Sequence, residues 1–180
     1  MKAKFLYISL NFLLIISCSK KAEITPVDDV AEPTIQNTFT KFFNTTNSGL
    51  LSNQINDIEL IGNFVKVATE YGYSTYDGVN WTTLTMINSS LPSNKINAVH
   101  SNLNNTLTWI ATDNGLVEYN GTSMVIYNTS NSSIPINKIR SLEVDNSGNL
   151  WLGTFSGGGL VKYDGLTWQV FYSIKFRLAE

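Results

Sequence analysis

Apolar residues along this chain come in short runs, and polar turn residues separate them. Phe64-Val65-Lys66-Val67-Ala68-Thr69 is one run; Leu107-Thr108-Trp109-Ile110-Ala111-Thr112 and Leu150-Trp151-Leu152-Gly153-Thr154 are two more. These runs are rich in β-branched and aromatic residues and are bounded by Gly, Asn, Asp or Ser, which marks strands. No stretch after residue 18 keeps a helical period. A glycine-containing turn follows each run and leads into a second: Tyr73 to Tyr76, Leu116 to Tyr119, Leu160 to Tyr163. An Asp-Gly or Asn-Gly pair ends that run, and a third follows: Trp81 to Leu84, Met124 to Tyr127, Trp168 to Tyr172. Asp-Gly and Asn-Gly between strands predict type I′ hairpins, in which both central residues take positive φ.

The pattern is periodic. Tyr76-Asp77-Gly78, Tyr119-Asn120-Gly121 and Tyr163-Asp164-Gly165 stand 43 and 44 residues apart. Each unit opens on Asn-x-Ile, at Asn53, Asn94 and Asn137, with a further apolar residue three positions after the Ile: Ile58, Val99, Leu142. Four strands joined by tight turns make an antiparallel meander, and meanders repeated at such a period stack radially into a β-propeller. The predicted fold is therefore all-β: a partial propeller of three four-stranded antiparallel blades, at about 53–84, 94–128 and 137–172, plus one extra N-terminal strand. The extra strand is Phe39–Phe43. Phe43 precedes Asn53 by the distance that separates Leu84 from Asn94 and Tyr127 from Asn137, across matching Asn-Ser linkers at Asn47-Ser48, Asn88-Ser89 and Asn131-Ser132. An irregular β-sandwich is the competing reading, and the fixed period argues against it.

The first residues read as an address. Lys2 and Lys4 precede an apolar run from Phe5 to Ile16, and Ile15-Ile16-Ser17-Cys18 follows. A basic start, a short apolar core and a small residue before the cleavage point make a secretory signal, and the run is short for a membrane span. The motif resembles that of bacterial lipoproteins, in which the thiol, here Cys18, is acylated and becomes the new N-terminus. A plain signal peptide with an incidental cysteine and a retained anchor are the alternatives. The expected organisation is a lipoprotein signal peptide at 1–17, the lipidated Cys18 and a flexible tether at 18–36, the partial propeller at 37–172 and a C-terminal tail at 173–180. The expected location is the cell envelope, most readily the outer membrane, with attachment to the membrane through the lipid. Acyl chains anchor because each buried methylene contributes about 0.8 kcal/mol.

Charge narrows the chemistry. The net charge is −2 and charged residues are 14% of the chain, with no basic stripe, so nucleic acid is not an expected partner. One cysteine and one histidine exclude Cys/His metal clusters, and no metal or other cofactor is expected. Gly157-Gly158-Gly159 lies between strands rather than ahead of a helix, so it reads as a turn and not as a phosphate loop. One constellation stands out: Glu59, His100 and Glu143 each fall six residues after the opening Asn. Near the ends of innermost strands, two carboxylates and an imidazole can converge on a metal or polar ligand at a channel; solvated strand ends are the alternative. Trp109 and Trp151 share one repeat position, and Trp81 and Trp168 share another. Packing between blades is the main reading there, and sugar stacking the second.

The cassette resembles the two-component-regulator propeller repeat, with its Trp-(Ile/Leu)-Gly-Thr core followed by Gly-Gly-Leu and Tyr. Trp151-Leu152-Gly153-Thr154 with Gly158-Gly159-Leu160 and Tyr163 carries it best; Trp109-Ile110-Ala111-Thr112 with Gly115-Leu116 and Tyr119 follows, and the first unit departs with Lys66 at the Trp position. The resemblance implies a propeller from sensor domains of hybrid two-component systems, or from secreted and surface proteins, of Bacteroidetes-like bacteria. The expected function is a lipid-anchored binding or scaffold module for a protein or glycan. It is not expected to be an enzyme. A detached sensor propeller and a propeller lyase are the alternatives, and a lyase of that kind needs more than the single His100. Three blades leave end faces open, with Trp168, Val170 and Phe171 on an uncapped last face, which predicts that the chain self-associates through these faces or is poorly stable.

Overall fold

A computed structural model describes residues 42–172. After a linker, β1 (Ile55–Ile61), β2 (Phe64–Thr69), β3 (Gly72–Tyr76) and β4 (Trp81–Leu84) form the first blade. The second contains β5 (Ile96–Ser101), β6 (Thr108–Thr112), β7 (Gly115–Tyr119) and β8 (Met124–Tyr127). The third contains β9 (Ile139–Val144), β10 (Leu150–Thr154), β11 (Leu160–Tyr163) and β12 (Trp168–Phe171). Each blade is one antiparallel sheet with its strands in chain order, and the described residues contain no helix.

Repeated side chains explain the turns. The Thr that ends each second strand donates its hydroxyl back across the next turn, Thr69 to Gly72 O at 2.9 Å, Thr112 to Gly115 O at 2.8 Å and Thr154 to Gly159 O at 3.0 Å. Gly115 has φ of +122°, and a Cβ there would lie 2.8 Å from the Tyr127 carbonyl, so the outermost strand packs against bare backbone.

The Asp-Gly and Asn-Gly pairs do not form type I′ turns. Four residues separate β3 from β4, and likewise β7 from β8 and β11 from β12. Only the glycine has positive φ: +98° at Gly78, +93° at Gly121 and +94° at Gly165. The acid or amide instead folds the loop by accepting backbone N–H groups, as Asp77 does from Val79 at 2.8 Å and Asn120 from Ser123 at 2.8 Å. The recurring place of the tyrosine in each repeat follows, because its hydroxyl donates to the glycine carbonyl of the same loop, at 2.7 Å from Tyr119 and 2.9 Å from Tyr163.

The blades stack face to face, with β5 packed between β1 and β9. Ala68 and Tyr73 of the first blade bury against Ile96, Val99, Ile110 and Val117 of the second. Ala98, Trp109, Ala111 and Leu116 bury in turn against Ile139, Leu150, Leu152 and Val161 of the third. Fully burying each such branched side chain is worth about 1.5–3 kcal/mol, so the junctions hold the fold.

Two expectations change here. In β12, alternation turns Trp168 and Val170 toward the second blade, where they pack on the core between blades two and three; Phe171 alone of the three points away. Of the expected N-terminal strand, residues 39–41 lie outside the described residues, and Phe42 and Phe43 are not in a strand. Phe43 still packs like an outer-strand residue. Its ring lies 5.0 Å from Tyr76 and 5.4 Å from Trp81, as Tyr127 lies 5.8 Å from Tyr163 and 5.4 Å from Trp168.

Candidate functional site

The site is built from the two junctions between blades, and the inner strands set its geometry. Each inner strand carries a bulge directly after its first residue, which leaves Asn56, Asn97 and Arg140 without a partner in the ladder. A bulge re-aims its side chain. Here it points the amide into the next blade: Asn56 Nδ2 donates to Ile96 O at 2.7 Å, and Asn97 Nδ2 to Ile139 O at 2.8 Å. Ion pairs reinforce both junctions, Lys95 with Glu70 at 2.8 Å and Lys138 with Asp113 at 3.1 Å.

Glu59, His100 and Glu143 do come together. His100 lies between the two carboxylates, with Nδ1 3.9 Å from Glu59 and Nε2 3.8 Å from Glu143. Glu59 already has other work: it accepts from the Ser101 N–H at 2.7 Å and the Ser101 hydroxyl at 2.6 Å, and it faces the Lys66 ammonium at 3.7 Å. Glu143 is largely exposed. Among the described residues no group of three or more His, Cys, Asp and Glu is arranged to hold a metal ion. Cys18 lies outside the described residues.

The tryptophans are packing residues. Trp109 is buried between the second and third blades, its ring 6.1 Å from Tyr163. Trp168 stacks on Tyr163 at 4.1 Å, and Trp81 on Tyr76 at 4.9 Å. Trp151, facing away from the second blade, stacks on Phe171 at 5.8 Å; Lys162 covers it, and its indole N–H donates to Asp145 at 2.9 Å.

The junction between blades one and two differs from its successor. At the Trp position it carries Lys66, 7% exposed. The ammonium donates to Ser101, to Thr108 at 2.9 Å and to Asn105 at 3.1 Å. Burial holds Lys66 below the usual lysine value, against the opposing pull of Glu59. Tyr73 stands where the second blade has Leu116 and meets Tyr119 edge-on at 6.5 Å; burial pushes its hydroxyl up. A cleft of about 260 Å³ remains, with Phe64, Thr75, Asn105, Thr106 and Asn120 at its wall. The matching cleft between blades two and three, beside Trp109, is about 190 Å³. The sequence marked Lys66 only as a departure from the repeat. Its role needs Ser101, Asn105 and Thr108, which lie 35 to 42 residues away.

Stacked four-stranded meanders clasped at their inner strands define a protein of β-propeller blades. Residues 133–156 match the family model of the two component regulator propeller, so the chain carries a repeat of that family. A comparison with curated proteins finds no match. Among solved structures, the chain is similar to the extracellular domain of a hybrid two component system from B. thetaiotaomicron, at 21% identity and a TM-score of 0.63 over 74% of this chain and 19% of that one. It is similar also to PorZ, a surface component of the type-IX secretion system of Porphyromonas gingivalis, at 20% identity and 0.60 over 73% of this chain and 21% of that one. An ancestral GH74 enzyme matches at 17% identity and 0.52, over 71% and 20%. The chain spans about a fifth of the length of these proteins. At such identities the likeness is one of fold.

Proposed function

We propose that this chain is a non-catalytic binding module of the cell envelope, anchored by lipid on Cys18, and that it takes a neutral glycan in the cleft between its first two blades. The observation that carries the reading is Lys66 at the repeat's Trp position, whose ammonium gathers Ser101, Asn105 and Thr108 beside a cleft of about 260 Å³, against about 190 Å³ at the Trp109 junction. Glu59, Ser101, Thr108 and Asn105 already engage the ammonium. An incoming ligand therefore meets hydroxyls and amides at Thr75, Thr106, Asn105 and Asn120, beside the half-exposed ring of Phe64. Sugars offer the complement: a ring face for the aromatic and hydroxyls for the amides. The basic, apolar start ending in Cys18 supports the envelope location. So does the likeness to one extracellular domain and one surface component.

Isothermal titration against a panel of neutral oligosaccharides tests the glycan. The expected result is a ligand whose affinity falls at least about tenfold in Phe64→Ala and Asn105→Ala, as loss of one stacking or hydrogen-bonding partner would give. Absence of binding across the panel, or a cleaved sugar in the mass spectrum, would overturn it. Mass spectrometry of the mature N-terminus tests the anchor, and an unacylated Cys18 would remove that part.

A further inference from the structure

The second junction repeats the first with its charges rearranged. At the first, the protein supplies its own ammonium: Lys66 lies among Ser101, Asn105 and Thr108 and faces Glu59. At the second, Trp109 takes the place of Lys66, and His100 takes that of Glu59. The cradle of hydroxyls becomes apolar, with Val144 at the Ser101 position and Leu150 at the Thr108 position. A carboxylate is added. Glu118 stands where the first blade has Thr75, beside Trp109 across β6 and β7.

Among the described residues Glu118 has no cationic partner. Tyr127 donates its hydroxyl to Glu118 Oε2 at 2.8 Å, and none of the ion pairs reaches that carboxylate. Burial and the Glu118 carboxylate push Tyr127 up, so its hydroxyl stays a donor. Glu118 lines the cleft of about 190 Å³ together with Trp109 and Tyr163, whose rings meet at 86° with centroids 6.1 Å apart. Leu107 and Leu150 add apolar wall. A half-buried carboxylate in such surroundings is poorly solvated, and a cation entering the cleft offsets that cost.

The walls also select the kind of cation. A hard metal ion asks for several oxygen ligands, and the cleft offers one carboxylate. A primary ammonium brings three N–H donors. The other acceptors here are engaged: the Asn102 side-chain oxygen accepts from Thr106 N at 2.8 Å and Leu107 N at 2.9 Å, and the Gly165 carbonyl accepts from the Tyr163 hydroxyl at 2.9 Å. A quaternary ammonium has no N–H to satisfy. Its methyl groups pack on apolar walls while its charge is drawn to aromatic rings and to a carboxylate. We propose that the cleft between the second and third blades is a binding site for a small quaternary ammonium of the choline type, with Glu118 as counter-ion and Trp109 and Tyr163 as aromatic walls. This site is separate from the glycan cleft and does not rest on that reading.

Isothermal titration of the full chain with choline tests it. One site with a Kd below about 1 mM is expected. The neutral isostere of choline, in which a quaternary carbon replaces the nitrogen, has the same shape and should bind at least about tenfold more weakly. Glu118→Gln keeps an acceptor for the Tyr127 hydroxyl, so it should melt within about 2 °C of its parent. It should nonetheless lose at least about tenfold in choline affinity. A Kd above about 1 mM, or an isostere that binds as tightly as choline, would overturn the proposal. So would a folded Glu118→Gln chain that binds choline like its parent.

Discussion

Asn97 Nδ2 donates to the Ile139 carbonyl at 2.8 Å, so a side chain freed by a bulge in one blade caps the first strand of the next. Asn97 also reaches Asp113 at 2.9 Å within its own blade. Asn97→Ala leaves a partly buried carbonyl without its donor. The expected cost is about 1–2 kcal/mol, read as a lower urea midpoint. Arg140→Ala, at the matching bulge of the third blade, should change the midpoint by no more than about 0.5 kcal/mol. Equal effects of the two would mean that the bulge does not direct a clasp.

Lys66 and Glu59 should be coupled. Glu59→Gln keeps an acceptor for the Ser101 N–H but removes the carboxylate facing a buried ammonium, and should cost about 2–3 kcal/mol. Lys66→Met leaves the Glu59 carboxylate without its cation and removes the bonds to Ser101, Thr108 and Asn105, and should cost about as much. The double variant should cost less than the sum of the two by about 1 kcal/mol or more, read by chemical denaturation; strictly additive costs would contradict the pairing.

The same lysine gives a pH signature. Its folded value lies below the unfolded 10.5, so the unfolded chain binds more protons between the two. Stability from this group therefore rises with pH across that window. Tyr73, raised by burial, acts oppositely, and only above its ordinary value of 10. The parent should therefore gain stability relative to Lys66→Met as pH rises toward 10, measured by urea midpoints in matched buffers. Parallel curves for the two proteins would refute it.

Acid should loosen two of the three outer hairpins. Hydrogen bonds from Thr167 and Leu166 hold Asp164 down to about 2, and those from Asn80 and Val79 hold Asp77 below 3.8. Folded values are depressed, so this stabilisation is present above 3.8 and is lost as pH falls toward 2. Asn120 makes the same loop without a charge. The double variant Asp77→Asn, Asp164→Asn should thus keep its stability at pH 7 and lose less between pH 4 and 2. Asp145, held low chiefly by the Trp151 N–H and Asn149, leaves a residual slope. An acid limb as steep as the parent's would count against the loop acids.

Gly121→Ala isolates a backbone effect. A Cβ there would meet nothing within 4 Å, but φ is +93°. The substitution should cost about 1 kcal/mol or more through conformation alone. A thermal melt unchanged from the parent would show that this loop relaxes freely.

Much of the architecture was legible in the chain. Runs such as Trp81–Leu84, Leu150–Thr154 and Leu160–Tyr163 mark their strands, because short β-branched and aromatic runs bounded by Gly, Asn and Asp have few other outlets. At Asp77-Gly78 the pair signals a turn but not its type: loop length is set by where the next strand can pair, and Trp81 pairs with Tyr76. The row of Glu59, His100 and Glu143 is legible in its spacing. That Glu59 would be held by Ser101 and Lys66 was not legible, since those bonds form only when the blades stack.

The sequence by itself determined the strands, their order within each blade and the number of described blades, because strand period, turn chemistry and repeat are local properties written every few residues. Only the tertiary structure decided what each blade presents to its neighbour. The bulge that turns Asn56 and Asn97 outward, the burial of Lys66, the inward side of Trp168 and the seat of Phe43 on Tyr76 all depend on faces meeting across about 40 residues of chain. Whether a side chain packs, clasps or stays open to a partner follows from which face of which blade it meets, and that is set when the sheets come together.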